Sequence, residues 1–242
     1  MSKYKVQFQK GMSLQQFWSK FGTDGQCREA LFLMRWPNGF RCTVCGHNRH
    51  CQLKSRPLMQ VMRERDDTTP LSGAVQVDDA VWGGQRCGGK RGRGAAGKTP
   101  FVAAVACSND GRPLRMRMTP IKGFSSQAIG KWARSHLAAD SEVLSDGLYC
   151  FRAIAAVCPH YSITTGGGPA SVEMPEFNRV NTMLGNVKNA LRGIYHAVHS
   201  RHLGRYLGAF SWRFNRRFEL DRMVCMGSVP YTTASLSARY NS

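Results

Sequence analysis

Two adjacent aspartates, Asp78 and Asp79, interrupt the apolar run VQVDDAVWGG at residues 75–84. A carboxylate is expensive to bury unless something pairs with it, so acids in such a run need a purpose. If residues 74–81 form a strand, Val75, Val77 and Val81 share one face with Asp79. Asp78 then lies on the other face with Gln76 and Ala80, free to point into a polar site, while Asp79 needs a bend or a partner. A second isolated acid, Asp146, closes the short segment EVLSD and is followed by Gly147. Between residues 176 and 194, Phe177, Val180, Leu184, Val187, Leu191 and Ile194 follow the spacing of a helical core stripe. Asn181, Gly185, Lys188 and Arg192 fall together on a second face of that helix. Carboxylates with a neutral oxygen donor suit a hard divalent cation. Lys188 and Arg192 suit phosphates, and Gly185 allows a close approach at a cost of about 1 kcal/mol in a helix interior. From pattern alone, solvated strand-end acids and a solvated polar helix face account for these residues equally well.

The elements that would carry these residues can be read from local signals. Residues 13–35 predict two short helices, one capped by Ser13 and the next by a capping box from Thr23 to Gln26. RWPNGF at 35–40 is turn chemistry, and residues 56–65 predict a further helix. The pattern then changes to strands at 74–81, 101–107 and 113–119, the last two joined by the turn SNDGR. A helix is expected over 125–139, strands at 142–146 and 160–164, and long helices over 176–194 and 200–218, the second capped by Ser200. A meander of strands followed by alternating strands and helices predicts a mixed α/β sheet.

The chain of 242 residues carries 34 Lys and Arg against 15 Asp and Glu, a formal charge of +19. Such a charge repels itself and suits a polyanion, nucleic acid first and an anionic membrane surface second. No apolar run approaches the roughly 20 residues of a membrane span, and the first residues lack a signal-peptide core. A cytoplasmic protein with no membrane partner is therefore expected. Nine cysteines do not suggest a disulfide framework, and Cys87, Cys107, Cys150, Cys158 and Cys225 read as inert, mostly buried thiols. The loop GGQRCGGKRGRGAAGK holds seven glycines among Arg86, Lys90, Arg91, Arg93 and Lys98. It lacks P-loop spacing but suits sequence-independent contact with a nucleic-acid backbone.

Together, VQVDDAVWGG, VLSDGLYCF and the stretch NRVNTMLGNVKNALRGIYHAVHSRHLGRYLGAFSWRFNRR resemble the bacterial insertion-sequence transposases of the ISXO type. The resemblance covers about residues 58–220, and LQQFWSKFGTDGQCREALFLMRWPNGFRCTVCG resembles the amino-terminal region of the same family. It implies an RNase H-like mixed five-stranded sheet flanked by helices, with a small, mostly helical N-terminal module. It implies DDE-class chemistry with an asparagine as third ligand: Asp78, Asp146 and Asn181 as ligands of Mg²⁺ or Mn²⁺, and Lys188 seven residues on. Two such ions about 4 Å apart serve in-line phosphoryl displacement. The implied partners are the ends of a mobile element and a target DNA, acted on by a homo-oligomer. Arg86, Lys90, Arg91, Arg93, Lys98 and Arg192 are the expected DNA contacts. A catalytically silent DNA-binding descendant of a transposase and a cellular RNase H-like nuclease are the competing functions.

The expected organisation is an N-terminal module at 1–57, a catalytic domain at 58–222 and a tail at 223–242. Cys42 and Cys45 form one C-x2-C, a possible Zn²⁺ pair, but a zinc ribbon wants a second pair some 15–20 residues on and none follows. His47, His50 and Cys51 are near in sequence, yet four ligands within ten residues would not make a ribbon. The chain reads as if a block were missing between about Cys51 and Leu58, which puts recognition of element ends, and activity itself, in question. His196, His199 and His202 read as structural or DNA-facing.

Overall fold

The computed structural model describes residues 13–36, 38–42, 45–50, 57–83, 97–164, 174–195 and 198–218. The chain divides into two compact units, one made of residues 1–57 with 216–242 and the other of residues 58–215.

In the first unit, α1 (Leu14–Phe21) and α2 (Asp24–Arg35) both begin with complete capping boxes. Ser13 Oγ accepts from the Gln16 N–H at 3.2 Å while Gln16 Oε1 accepts from the Ser13 N–H at 3.1 Å. Thr23 and Gln26 repeat the arrangement at 3.2 and 3.0 Å. Reciprocal capping satisfies donors that a short helix leaves orphaned at its start, which is why eight residues suffice for α1. At the end of α2 and just past it, the rings of Phe32, Trp36 and Phe40 gather around the His50 imidazole, which stacks on Phe32 at 4.7 Å between centroids.

The second unit opens with α3 (Pro57–Asp66), followed by β1 (Ala74–Trp82), β2 (Thr99–Cys107), β3 (Pro113–Pro120), α4 (Ser126–His136), β4 (Glu142–Asp146) and β5 (His160–Ile163). The helices α5 (Asn178–Ile194) and α6 (Leu203–Asn215) complete it. The five strands form one sheet in the order β3-β2-β1-β4-β5, with β1, β2 and β3 antiparallel in sequence and β4 and β5 parallel to β1. This is the mixed RNase H-like arrangement that the resemblance implies. From Phe101 to Cys107, β2 is apolar and buried on both faces, as an interior strand should be. On one face Val75, Val77, Val102, Ala104 and Val143 pack against Ile129, Trp132 and Phe151 of α4 and the 3-10 turn Tyr149–Ala156. On the other, Ala80, Phe101, Ala103 and Val105 pack against Val180, Leu184 and Val187 of α5 and Leu203 and Leu207 of α6. Val75 and Val77 of β1 and the stripe of α5 as far as Leu191 thus each find a core, on opposite sides of the sheet, whereas Ile194, expected in that stripe, is exposed at the helix end.

Element ends differ from the sequence reading where local pattern is blind. The helix expected over 176–194 begins as a 3-10 turn at Pro175–Phe177. The last helix is likewise preceded by a 3-10 turn at Ser200–His202, and its cap is His199 rather than Ser200: His199 Nδ1 accepts from the Arg201 N–H at 3.3 Å. The last helix also buries more than one stripe. Trp212, Ser211, Ala209, Gly208 and Gly204 are buried together with Leu203 and Leu207.

The reason lies in α3. A Cβ on Gly208 would stand 2.4 Å from Cβ and 3.0 Å from Cα of Arg63, and one on Gly204 would stand 2.8 Å from the Arg63 guanidinium. Two glycines one turn apart let α3 lie directly against α6. Below this contact, Arg117 of β3 is only 2% exposed. Its guanidinium donates to Asp67 Oδ1 at 2.6 Å, to the Thr69 carbonyl at 2.8 Å and to the Asp66 carbonyl. Asn215, the last residue of α6, donates to both Asp66 carboxylate oxygens at 3.1 and 2.9 Å and to the Met116 carbonyl at 3.0 Å, and accepts from the Met116 N–H at 2.7 Å. Strand β3 is an edge, and this carboxamide occupies its free backbone groups as a neighbouring strand would.

His136, at the end of α4, lies 3.5 Å from the Arg117 guanidinium. Burial, then the Arg117 charge, lowers its pKa to about 4. The unfolded imidazole takes a proton near pH 6.5 and the folded one does not, so its contribution to stability is present above pH 6.5 and is lost as pH falls towards 4. Asp67, raised by burial against the pull of Arg117, works in the opposite sense as its carboxyl titrates. Urea unfolding is therefore expected to show a lower midpoint at pH 5 than at pH 7, and His136→Phe is expected to flatten the difference.

Candidate active site

The ladder between β1 and β4 ends at the pair Val77↔Ser145, one residue short of Asp78 and Asp146. Beyond it the two strands separate, while β1 continues against β2 as far as Trp82. A sheet that opens between its parallel central strands leaves a crevice at their carboxyl ends, the usual place for a ligand in α/β sheets. Carboxylate oxygens of Asp78, Asp79 and Asp146 lie within 4.8 Å of one another there, all half-buried. Among the described residues this is the one group of three or more acids, histidines or cysteines with metal-ligand spacing.

The sequence singled out Asp78 and Asp146, and the fold brings them together from strands 68 positions apart. It also brings in Asp79, which strand alternation sends to the opposite, apolar face. At this point β1 has lost its β4 neighbour but keeps its β2 partner, with Asp79 paired to Val102. The Asp79 N–H donates to Asp78 Oδ1 at 2.8 Å, which fixes the first carboxylate. Asp146 Oδ1 accepts from the Leu148 N–H at 3.3 Å, so the second acid closes the turn that follows it. Gly147 lets that turn pass close to Thr164: a Cβ would stand 3.0 Å from Thr164 Oγ1 and 3.2 Å from its Cα, so Thr164 would have to give way slightly. Behind Asp146, the fully buried Ser145 hydroxyl bonds to His160 Nε2 at 2.8 Å and to the Asp146 carbonyl at 2.9 Å.

Helix α5 is set over β1 by a residue whose role the sequence did not disclose. Gln76 Oε1 accepts from the N–H groups of Arg179 and Val180 at 3.1 and 3.0 Å. The helix has no side-chain cap of its own, so the strand supplies one. Gln76 lies on the same face of β1 as Asp78, two residues away, and Asn181 follows Val180 directly. About two turns further on, burial lowers the Lys188 ammonium pKa, while the carboxylates of Asp78 and Asp79 pull it back up. Lys188 therefore stands within the field of the acid cluster. Gly185 lies between Asn181 and Lys188 on α5 and meets nothing within 4 Å. No protein group requires a glycine there, in contrast with Gly208. Gly185→Ala is expected to raise stability by up to about 1 kcal/mol, whereas Gly208→Ala is expected to lower it by about 1–3 kcal/mol, both read from urea midpoints.

Of the expected DNA contacts, Arg192 is exposed on α5 and Lys98 is half-buried at the foot of β2. Arg86, Lys90, Arg91 and Arg93 lie outside the described residues, as do Cys51, Cys87, Cys225 and His196. Cys107, Cys150 and Cys158 are buried thiols outside any disulfide. His199 and His202 belong to no metal-ligand group among the described residues, and His202 instead bonds to the Arg201 guanidinium at 3.1 Å. In the first unit, the Cys42 N–H donates to the His47 carbonyl and the Gly46 N–H to the Cys42 carbonyl, both at 2.8 Å, with Gly46 at φ 69°. This is a tight turn that presents two thiols. His50 is taken up by its aromatic neighbours instead.

A half-buried carboxylate cluster at the open end of an RNase H-like sheet places the chain among proteins built around that fold. The family model of the ISXO2-like transposase domain matches residues 70–215, which span the whole sheet, the acid cluster and both long helices. The chain belongs to the ISXO2-like transposase family. The model of the transposase zinc-ribbon domain matches residues 22–61, taking in Cys42 and Cys45. No curated protein matches the chain. The solved crystal structure of a pre-cleavage Mos1 transpososome aligns with 92% of this chain and 76% of its own, at 10% identity and a TM-score of 0.25, too slight a likeness to support any argument. Among the described residues no helix is long and apolar enough to cross a membrane.

Proposed function

We propose that this chain is a metal-dependent DNA transposase that cleaves the ends of an insertion sequence and joins them to target DNA. The observation that carries the reading is the convergence of Asp78 and Asp146 within 4.8 Å at the separated ends of two strands, in a chain of this family. Asp78, Asp146 and Asn181 are the proposed ligands, and Asp79 is close enough to contribute. Their all-oxygen donor set and half-burial suit Mg²⁺ or Mn²⁺ better than a softer metal. Divalent ions held there would polarise the scissile phosphate and ease deprotonation of the attacking oxygen. The protein supplies the rest. Leu148 N–H and Asp79 N–H hold the carboxylates in place, and Gln76 seats α5 so that Asn181 and Lys188 face the phosphate. Lys188 balances charge on the phosphate while Arg192 and the basic loop hold the backbone.

DNA as partner, a homo-oligomer as the working form and a cytoplasmic site of action belong to the same reading. So does the division into an N-terminal module at 1–57, a catalytic domain at 58–222 and a tail at 223–242. Zn²⁺ on Cys42 and Cys45 is the weaker part of it, because His50 is engaged elsewhere.

The test is nicking of supercoiled plasmid by the purified chain with Mg²⁺ or Mn²⁺. Nicking that stops when EDTA removes the metal and returns on its restoration supports the proposal. DNA binding with no nicking supports the silent DNA-binding reading instead, and nicking that persists without metal overturns the metal-dependent one. Cleavage confined to RNA–DNA hybrids points to a cellular nuclease.

A further inference from the structure

The turn that follows Asp146 carries a feature that the metal chemistry does not use. Tyr149 begins the 3-10 turn Tyr149–Ala156 and is 69% exposed, the most exposed large apolar residue among the described residues of the second unit. The Arg152 guanidinium sits over its ring at 5.2 Å from the centroid. The turn itself is well anchored, with Cys150, Phe151 and Ile154 buried in the core beneath it. Its start is tied to the acid cluster, since the Leu148 N–H donates to Asp146 Oδ1. Three residues span at most about 11 Å, which bounds how far the Tyr149 backbone lies from that of Asp146. An exposed aromatic ring with a guanidinium alongside costs the isolated protein solubility and contributes little to its core. Such a pair is a sequence-tolerant surface for stacking a nucleobase, with the cation near the phosphate that follows. The +19 charge of the chain supplies the attraction for the strand.

We infer that Tyr149 and Arg152 form a stacking platform for an unpaired nucleotide beside the scissile phosphate. The inference rests on the proposed reading of the acid cluster as a DNA-cleaving centre. Opening the duplex next to the phosphate would let the strand enter the crevice between β1 and β4, and the platform would hold the displaced base.

The probe is a short duplex with a three-nucleotide single-stranded 3′ tail that contains 2-aminopurine, compared with the same duplex left blunt. Affinity and fluorescence are measured with the full chain in the absence of divalent ions, so that no cleavage intervenes. The tail is expected to bind more tightly than the blunt end and to show altered fluorescence on stacking. Tyr149→Ala is expected to cost at least about fivefold in affinity for the tailed duplex and nothing for the blunt one. Tyr149→Phe and Tyr149→Trp are expected to keep the preference, because the ring and not the hydroxyl does the stacking. Equal affinity of the native chain for both duplexes overturns the inference. So does an equal loss on both in Tyr149→Ala, or a loss of the preference in Tyr149→Phe. A tail preference without any nicking in metal leaves the platform standing and removes the catalytic reading. Nicking without a tail preference does the reverse.

Discussion

Asp146→Asn is expected to reduce metal-dependent plasmid nicking by roughly 100-fold or more while raising the thermal midpoint of the metal-free protein. The two effects have one cause. Three half-buried carboxylates within 4.8 Å repel one another, and in the proposed site a divalent cation relieves the repulsion that the Lys188 ammonium does not offset. Replacing one acid by its amide removes a like charge and with it a ligand, and the metal's charge stabilisation of the reaction is worth several kcal/mol. The substitution keeps the local structure, because the amide oxygen still accepts from the Leu148 N–H. Mg²⁺ should raise the thermal midpoint of the native chain and have little effect on that of the variant. Asp78→Asn should behave alike, since its amide can still receive the Asp79 N–H. Lost nicking with a lowered metal-free midpoint would mean that Asp146 supports the fold instead, and unchanged nicking would remove it from the site.

The second large effect lies away from the chemistry. Arg117→Met is expected to destabilise the chain by about 3 kcal/mol, a fall of roughly 6–12 °C in Tm for a unit of this size. Methionine fills most of the space but supplies no donors. Asp67 Oδ1 and the carbonyls of Asp66 and Thr69 each lose theirs, and the Asp66 carboxyl is itself only 2% exposed. Arg117→Lys should recover part of the loss, because an ammonium keeps the charge but cannot span three acceptors with a planar fork. Arg112→Met serves as the control. Its ion pair with Asp110 is exposed on both sides, and its removal should leave the midpoint where it is. A midpoint unmoved in Arg117→Met would mean that the Asn215 contacts alone hold α3, β3 and α6 together.

Local signals in the sequence were sufficient for much of this protein. Capping boxes at Ser13 and Thr23 act within four residues, so they are legible without any fold. The alternation in β1 and the stripe of α5 follow from fixed backbone periods, and each finds its core in the structure. The family motifs around Asp78, Asp146 and Asn181 could be matched by order and spacing alone. What local pattern lacks is knowledge of neighbours. Alternation sent Asp79 away from Asp78, yet past the end of the β1–β4 ladder its carboxylate lies with the other acids. Gln76 looked like an ordinary strand residue, and its role as the cap of a helix some 100 positions later is a tertiary fact. Gly185 and Gly208 look alike in sequence as helix-interior glycines, yet one faces open space and the other the backbone of Arg63. Arg117 and Asn215 read as two more polar residues in a basic chain, but each is committed to partners on other elements. The sequence by itself determined the elements, the sign of the charge and the family, because these depend on composition, period and spacing along the chain. The tertiary structure decided which acids meet, which glycine is needed and which cation is buried, because those depend on what lies across the sheet.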